Sequence, residues 1–193
     1  MKTDDIYTMQ QDATDLSRFN NSLYNHGASG LKLVLWQIVS GIFFINHLSG
    51  FSSIKVALLR MFGAKVGKSV VIKQAVRIKY PWRLEIGNHT WIGECAWIEN
   101  HVKVTIGNNV CISQGAMLLC GNHNYKKSTF DLITGEITLE DGVWIGAKAI
   151  VCPGVKCESH AVLTVFSVAA SNLEPYGIYQ GNPCVKVRER IIN

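Results

Sequence analysis

From Val66 onward, aliphatic side chains recur six positions apart. Val66, Ile72, Ile78 and Leu84 make the first series. A step of two resets the phase to Ile86, followed by Ile92, Ile98 and Val104. A second step of two gives Ile106, Ile112 and Leu118. After an interruption the spacing resumes at Leu139, Ile145, Val151, Cys157, Leu163 and Ala169. Four residues after many of these anchors sits a small or apolar residue, such as Val70, Ala96, Val110, Ala116, Val143 or Ala149. A period of six is neither the 3.6 of a helix nor the alternation of a simple strand. Six residues make a short strand and a turn, and three such units close one triangular coil of eighteen residues. The pattern therefore predicts a mainly β parallel solenoid whose coils contact only their neighbours. Glycines that follow anchors, as at Gly67, Gly87, Gly93, Gly107 and Gly146, are expected to turn the corners. The steps of two are expected to be small corner bulges.

Upstream the rhythm changes. "LKLVLWQIVSGIFFINHL" (Leu31 to Leu48) is apolar but interrupted by Lys32, Gln37, Ser40, Gly41, Asn46 and His47. That is too polar for a membrane span of about twenty apolar residues. It reads as an amphipathic helix that docks on the main domain or lies on a membrane surface. "SSIKVALLRMFG" predicts a second, shorter helix, capped by Ser52 or Ser53 and ended at Gly63. The organisation expected is an N-terminal extension over 1–63 and a β-helix domain over 64–193.

The 193 residues fit one domain with an extension, and a 48% hydrophobic content suffices for a continuous core. The net charge of +5 is unevenly spread: Lys55 to Arg83 holds eight basic residues and no Asp or Glu. Such a run is a solvated face, or it meets something anionic, either a membrane surface or a phosphate-bearing substrate. No nucleic-acid motif accompanies it. The six cysteines form no C-x-x-C pair, which argues against a structural zinc site and for free thiols in a reducing cytoplasm. The first fifteen residues hold four aspartates and no apolar core, so no cleavable signal peptide is expected.

The motifs "IGNNVCISQGA" and "DGVWIGAKAIVCPGV" resemble those of the hexapeptide-repeat acyltransferases. "LLRMFGAKVG", "YPWRLEIG", "WIGECAWIEN", "GNHNY" and "YQGNPCVKVRER" resemble the colanic acid biosynthesis acetyltransferase branch. The likeness runs from Ile54 to Arg190. It implies a left-handed parallel β-helix with an N-terminal helical extension, an excursion loop and a short C-terminal helix. It also implies acetyl-CoA-dependent O-acetylation of a sugar hydroxyl in exopolysaccharide or capsule synthesis, in a cytoplasmic homotrimer with active sites between subunits. The acceptor is expected to be a sugar or glycan intermediate, with peripheral membrane contact and no metal or nucleic acid.

A uniform solenoid has no pocket, so function needs the interruption. It spans roughly Gly121 to Glu136, between anchors Leu118 and Leu139 that lie 21 apart where an undisturbed path gives 18. Excursions from a regular scaffold tend to carry function. His123 opens it. In the family, the histidine at this point is a general base that takes the proton of the attacking hydroxyl. The alternative is a loop histidine satisfying backbone groups. Relatives carry aspartate next, where this chain has Asn124. For the donor, the resemblance implies Trp144 beside the pantetheine, Gly146, Ala147 and Val165 along the channel, and Lys186 and Arg188 at the phosphates. Trp144 serves equally well as packing, Lys186 and Arg188 as a basic surface end, and Cys120 reads as packing. Phe166 stands where relatives have a corner glycine. Acceptor candidates are Glu94, Glu99, Asn100, Gln114 and Asp131, with Asn124.

Two rivals remain. A γ-carbonic-anhydrase-like zinc enzyme needs three converging histidines, and the spacing of His26, His47, His89, His101, His123 and His160 does not reproduce that pattern. A non-catalytic binding scaffold would not need the excursion.

Overall fold

The computed structural model describes residues 13–22, 24–48 and 50–193. The stretch that lacks a signal-peptide core lies mostly outside the described residues. Contacts divide the described residues into two compact units, 26–122 with 134–193, and those before 26 with 123–133.

The larger unit is the parallel solenoid. Its first face stacks strands Lys65–Val66, Leu84–Ile86, Val104–Ile106, Ile137–Leu139 and Lys156–Cys157. The second stacks Val71–Ile72, Trp91–Ile92, Cys111–Ile112, Trp144–Ile145, Val162–Leu163 and Gly177–Gly181. The third stacks Arg77–Ile78, Trp97–Glu99, Met117–Leu119, Ile150–Val151 and Val168–Ala169. The predicted anchors are the inward residues: Ile92, Ile98, Leu118, Leu139, Ile145, Val151 and Leu163 are all fully buried. Burying one such side chain stabilises by about 1.5–3 kcal/mol, and here they form one continuous column.

Two local expectations are corrected. The steps of two are not corner bulges. Leu84 and Ile86 are the two buried ends of one strand, as are Val104 with Ile106 and Ile137 with Leu139. Residues two apart in a strand point the same way, so the extra pair lengthens the first face. Nor do the glycines after anchors supply the left-handed corner. That conformation falls three residues after the anchor, at Ser69, His89, Cys95, Asn109, Lys148, His160 and Phe166 among others. The glycines answer a different demand. A Cβ on Gly87 would lie 2.5 Å from the Gly107 carbonyl carbon, where the next coil's backbone runs.

A polar ladder stitches the corner between first and second faces. Asn88 Oδ1 accepts from the Lys68 amide (2.8 Å), Asn108 Oδ1 from the Asn88 amide (2.8 Å), and Asp141 Oδ1 from the Asn108 amide (2.7 Å). Each residue stands two after an anchor, so the repeat places them in register.

Two helices, α1 (Gly30–Phe43) and α2 (Ser52–Met61), pack on the first coil. Ser29 caps α1. Trp36, Phe44, Leu59 and Phe62 extend the aliphatic column, and Trp36 Nε1 donates to the Ile78 carbonyl at 3.0 Å. They give the solenoid the cap that repeat folds require. Ser52 is not the helix cap expected of it: its hydroxyl donates to the Val70 carbonyl and accepts from the Ile72 amide. Gly63 ends α2 at φ +102°. Lys55 leaves the basic face altogether. It is fully buried, and its ammonium donates to the Lys73 carbonyl.

At the other end, the expected short helix is a strand. Cys184–Glu189 pairs antiparallel with Gly177–Gly181. The alternation Val185-Lys186-Val187-Arg188 has the period of a strand, not a helix. Arg190 Nη1 then donates to the carbonyls of Gly142 (2.9 Å) and His160 (3.2 Å).

The interruption is larger than anchor counting suggests. In register, Ile86 follows Val66 by 20 residues and Cys157 follows Leu139 by 18, but Leu139 follows Ile106 by 33. The value of 21 compared anchors on different faces. At the neck, the Gly135 amide donates to the Cys120 carbonyl at 2.9 Å.

Candidate functional site

The smaller unit holds His123. Its Nδ1 lies 2.8 Å from the Phe130 carbonyl oxygen. A carbonyl only accepts, so Nδ1 carries the hydrogen and the lone pair of the neutral ring is on Nε2. The imidazole stacks on the Phe130 ring at 4.5 Å and 6°, with Phe19 tilted against it at 5.8 Å. Phe130 reaches this position through a left-handed backbone, φ +52°. The histidine is thus held in one orientation and one tautomer by its own loop. Asn124 takes no part in that. Its Oδ1 accepts from the Lys126 amide, and its backbone amide donates to the Asp131 carbonyl. The Asp131 carboxylate pairs with Lys127 at 3.0 Å. A hydrogen bond from Thr129, then one from Lys127, holds its carboxyl below the usual range.

In the solenoid, parallel register aligns the outward residues of the second face. Trp91, Cys111, Trp144, Val162 and Ile178 follow one another coil by coil. Trp144 is 46% exposed, so it is not core packing. Its indole N–H donates to Ser113 Oγ at 2.9 Å, which pins the ring. The adjoining corner carries Glu94, Gln114, Ala147 and Val165. Gly146 is buried, and a Cβ there would lie 2.6 Å from the Val165 amide nitrogen, so coil stacking accounts for its size. Phe166 keeps the corner geometry of its counterparts at φ +57°, with the Lys148 ammonium 5.4 Å over its ring. A cavity of about 430 Å³ opens along this edge, lined by Lys73, Trp91, Glu94, Cys111, Ser113 and Gln114 among others.

The solenoid therefore brings together Glu94 and Gln114, and aligns Trp144, Ala147 and Val165 on the neighbouring coils. It does not bring Glu99 or Asn100 to them. Glu99 belongs to the third face, 3.6 Å from both Lys79 and His101. Burial, followed by the Lys79 charge, keeps the His101 pKa low. Asn100 is fully buried. Its amide bridges the Tyr80 backbone, accepting from the N–H (3.0 Å) and donating to the carbonyl (2.6 Å). Lys186 pairs with Glu174 (2.8 Å) and Glu189 (2.7 Å), hydrogen bonds that raise its pKa in that order. Arg188, also on the last strand, is exposed. The Cys120 thiol is pushed up to about 12 by burial, which makes it packing.

Sequence reasoning missed Trp91, Lys73 and Ser113 on the cavity wall. A signal for Trp91 was present: Trp-Ile-Gly occurs at 91–93 and again at 144–146. Among the described residues, one trio has the reach to share a metal ion, His47, Glu94 and Cys95, with ligand atoms within 4.8 Å of one another.

No family model matches the chain. It is 32% identical over 177 residues to "Putative colanic acid biosynthesis acetyltransferase WcaF" of Escherichia coli K12, covering 92% of this chain and 97% of that protein. It is 26% identical to the galactoside O-acetyltransferase of the same organism, over 69% of this chain and 67% of that one. Among solved structures, a hexapeptide-repeat-containing acetyltransferase from Vibrio cholerae O1 biovar eltor, complexed with acetyl-CoA, matches with a TM-score of 0.77 at 21% identity. The match covers 86% of this chain and 92% of that one. A galactoside acetyltransferase in complex with coenzyme A matches with a TM-score of 0.73 at 22% identity, over 86% and 84%.

Proposed function

The chain belongs to the hexapeptide-repeat acetyltransferase family, and from that premise we propose that it moves the acetyl group of acetyl-CoA directly onto a sugar hydroxyl, with His123 as general base. The observation that carries this reading is the Nδ1–H bond to the Phe130 carbonyl, which leaves the basic lone pair on Nε2. An alcohol attacks a thioester poorly because its proton is held far above neutral pH. As the oxygen–carbon bond forms, Nε2 accepts that proton. When the carbon–sulfur bond breaks, the imidazolium returns it to the departing sulfur. No acyl-enzyme is required, and the inert Cys120 thiol fits that economy.

Acetyl-CoA is the donor in this reading. Trp144, Ala147 and Val165 offer its pantetheine an exposed apolar edge, with Gly146 keeping the coils closely stacked. Arg188 meets a phosphate, and Lys186 does so only by leaving Glu174 or Glu189. Glu94 and Gln114 on the cavity wall are the acceptor residues best supported, with Asn124 next to His123 in sequence and Asp131 farther along the same excursion. Asn100 is committed to the Tyr80 backbone and Glu99 to Lys79 and His101. The acceptor is a sugar or glycan intermediate of exopolysaccharide or capsule, in line with the relative's name. The working form is a cytoplasmic homotrimer with the site completed between subunits.

A thiol-release assay with acetyl-CoA over nucleotide-linked, lipid-linked and free sugars tests this. Release that depends on one sugar class supports the reading. Release with no sugar of the panel, or none above the hydrolysis background, overturns it.

A further inference from the structure

Helix α1 buries only one side. Trp36 and Ser40 face the first coil, and the Trp36 bond to Ile78 fixes the helix about its axis. The opposite side carries Leu31 (71% exposed), Val34, Leu35 (46%), Ile38 (55%) and Ile42 (55%), whereas Ile45, past the helix end, turns back to line a cavity with Trp36, Ser40 and Ile78. The outward positions run i, i+3, i+4, i+7 and i+11, a continuous stripe along α1. Leu48, Phe51 and Ile54, next along the chain and into α2, are further exposed apolar side chains at 90%, 70% and 43%. No charged side chain stands among the five α1 positions; between α1 and Leu48, exposed His47 lies 3.6 Å from the Glu94 carboxylate. An exposed apolar surface of this continuity marks an interaction site.

The charge around it selects the partner. Residues 26–84, which contain both helices and the first coil, hold nine Lys and Arg and no Asp or Glu. Of these, Lys55 is buried, Lys65 pairs with Glu85 and Lys79 with Glu99. Lys68, exposed, lines a groove with Ser52, Ser53 and Arg60 along α2, and Lys73 and Arg77 are exposed on the same coil. A two-fold contact with a second copy through this stripe would bring the same positive field against itself. An anionic lipid surface complements it. The fourteen residues of α1 rise about 21 Å at 1.5 Å each, short of the ~30 Å hydrocarbon core. No helix among the described residues is long and apolar enough to cross a membrane.

We infer that the outer stripe of α1, with Leu48, Phe51 and Ile54, lies in the interface of an anionic lipid bilayer, with the surrounding lysines and arginines on the headgroups. The inference is independent of the chemistry proposed for His123. It places the protein where a membrane-held acceptor would be presented.

The test is co-sedimentation of the full-length protein with vesicles of phosphatidylcholine, with and without phosphatidylglycerol. Wild type should pellet with the anionic vesicles, and raised salt should weaken that binding. The variant Ile38→Glu/Ile42→Glu should lose at least about tenfold in partitioning, because its side chains already face solvent and the fold does not need them. Circular dichroism and light scattering of the same sample check folding and mass. Lys68→Glu, away from the stripe, should weaken binding to the anionic vesicles alone. Absence of wild-type binding, equal binding to neutral vesicles, or equal binding by the double variant overturns the inference. So does a loss of oligomer mass in the double variant, which would assign the stripe to a second copy.

Discussion

The Phe130 carbonyl oxygen accepts a hydrogen bond from His123 Nδ1 at 2.8 Å, seven residues away across the excursion. Backbone thus does the orienting that a carboxylate does for many catalytic histidines. Nitrogen-15 NMR of the neutral imidazole should show a pyrrole-type Nδ1 and a pyridine-type Nε2. The reverse assignment would contradict the role given to Nε2.

Trp144 stands exposed on the second face with its indole pinned to Ser113. If its ring flanks the donor, Trp144→Ala raises the KM for acetyl-CoA by about tenfold and changes kcat less, the pattern of a lost ground-state contact. Ser113→Ala, which only releases the ring, produces a smaller rise. An unchanged KM in Trp144→Ala would remove the residue from the donor site.

Close coil stacking makes Gly87 intolerant of a side chain. A Cβ there meets the Gly107 backbone at 2.5 Å, and backbone cannot step aside as a flexible side chain does. Gly87→Ala should cost about 1–3 kcal/mol, the usual range for overpacking, read as a lower urea midpoint. Equal midpoints would contradict the close approach.

Asp141 ends the corner ladder. The Asn108 amide, then the Asn108 side chain, lowers its pKa below the ordinary aspartate value. With the folded value depressed, its contribution is fully present above about pH 4 and fades as pH falls through the folded pKa. Asp141→Asn keeps an acceptor oxygen but removes the titration. The stability gap between wild type and variant should therefore be constant from neutral pH to about pH 5 and shrink below pH 4. A gap that widens in acid would refute the assignment.

The solenoid was legible because its cause is local. Each six-residue unit repeats the same strand, corner and anchor, so Ile72, Ile92, Ile112 and Ile145 announce the same column in text and in space. The errors fell where two demands share one residue. Glycine after an anchor reads as a turn residue, yet the following coil is what excludes a Cβ there. Lys55 reads as surface, yet the Lys73 carbonyl gives its ammonium a buried partner. Asn100 reads as a polar ligand, yet it is the brace of the Tyr80 backbone. His123 entered the candidate site through the family resemblance at the broken rhythm, while its partner Phe130 could not, because a backbone carbonyl leaves no mark on side-chain identity. Trp91 and Glu94 join Gln114 only through coil register, which the pattern contained and the reading of single motifs passed over.

The central claim is that His123 Nε2 takes the acceptor's proton. Steady-state acetyl transfer, followed by thiol release from acetyl-CoA with the best sugar acceptor, tests it most directly on wild type and His123→Ala. A fall in kcat of at least ~100-fold, with acetyl-CoA binding retained by calorimetry, is the predicted result. Near-wild-type turnover in the folded variant would contradict it.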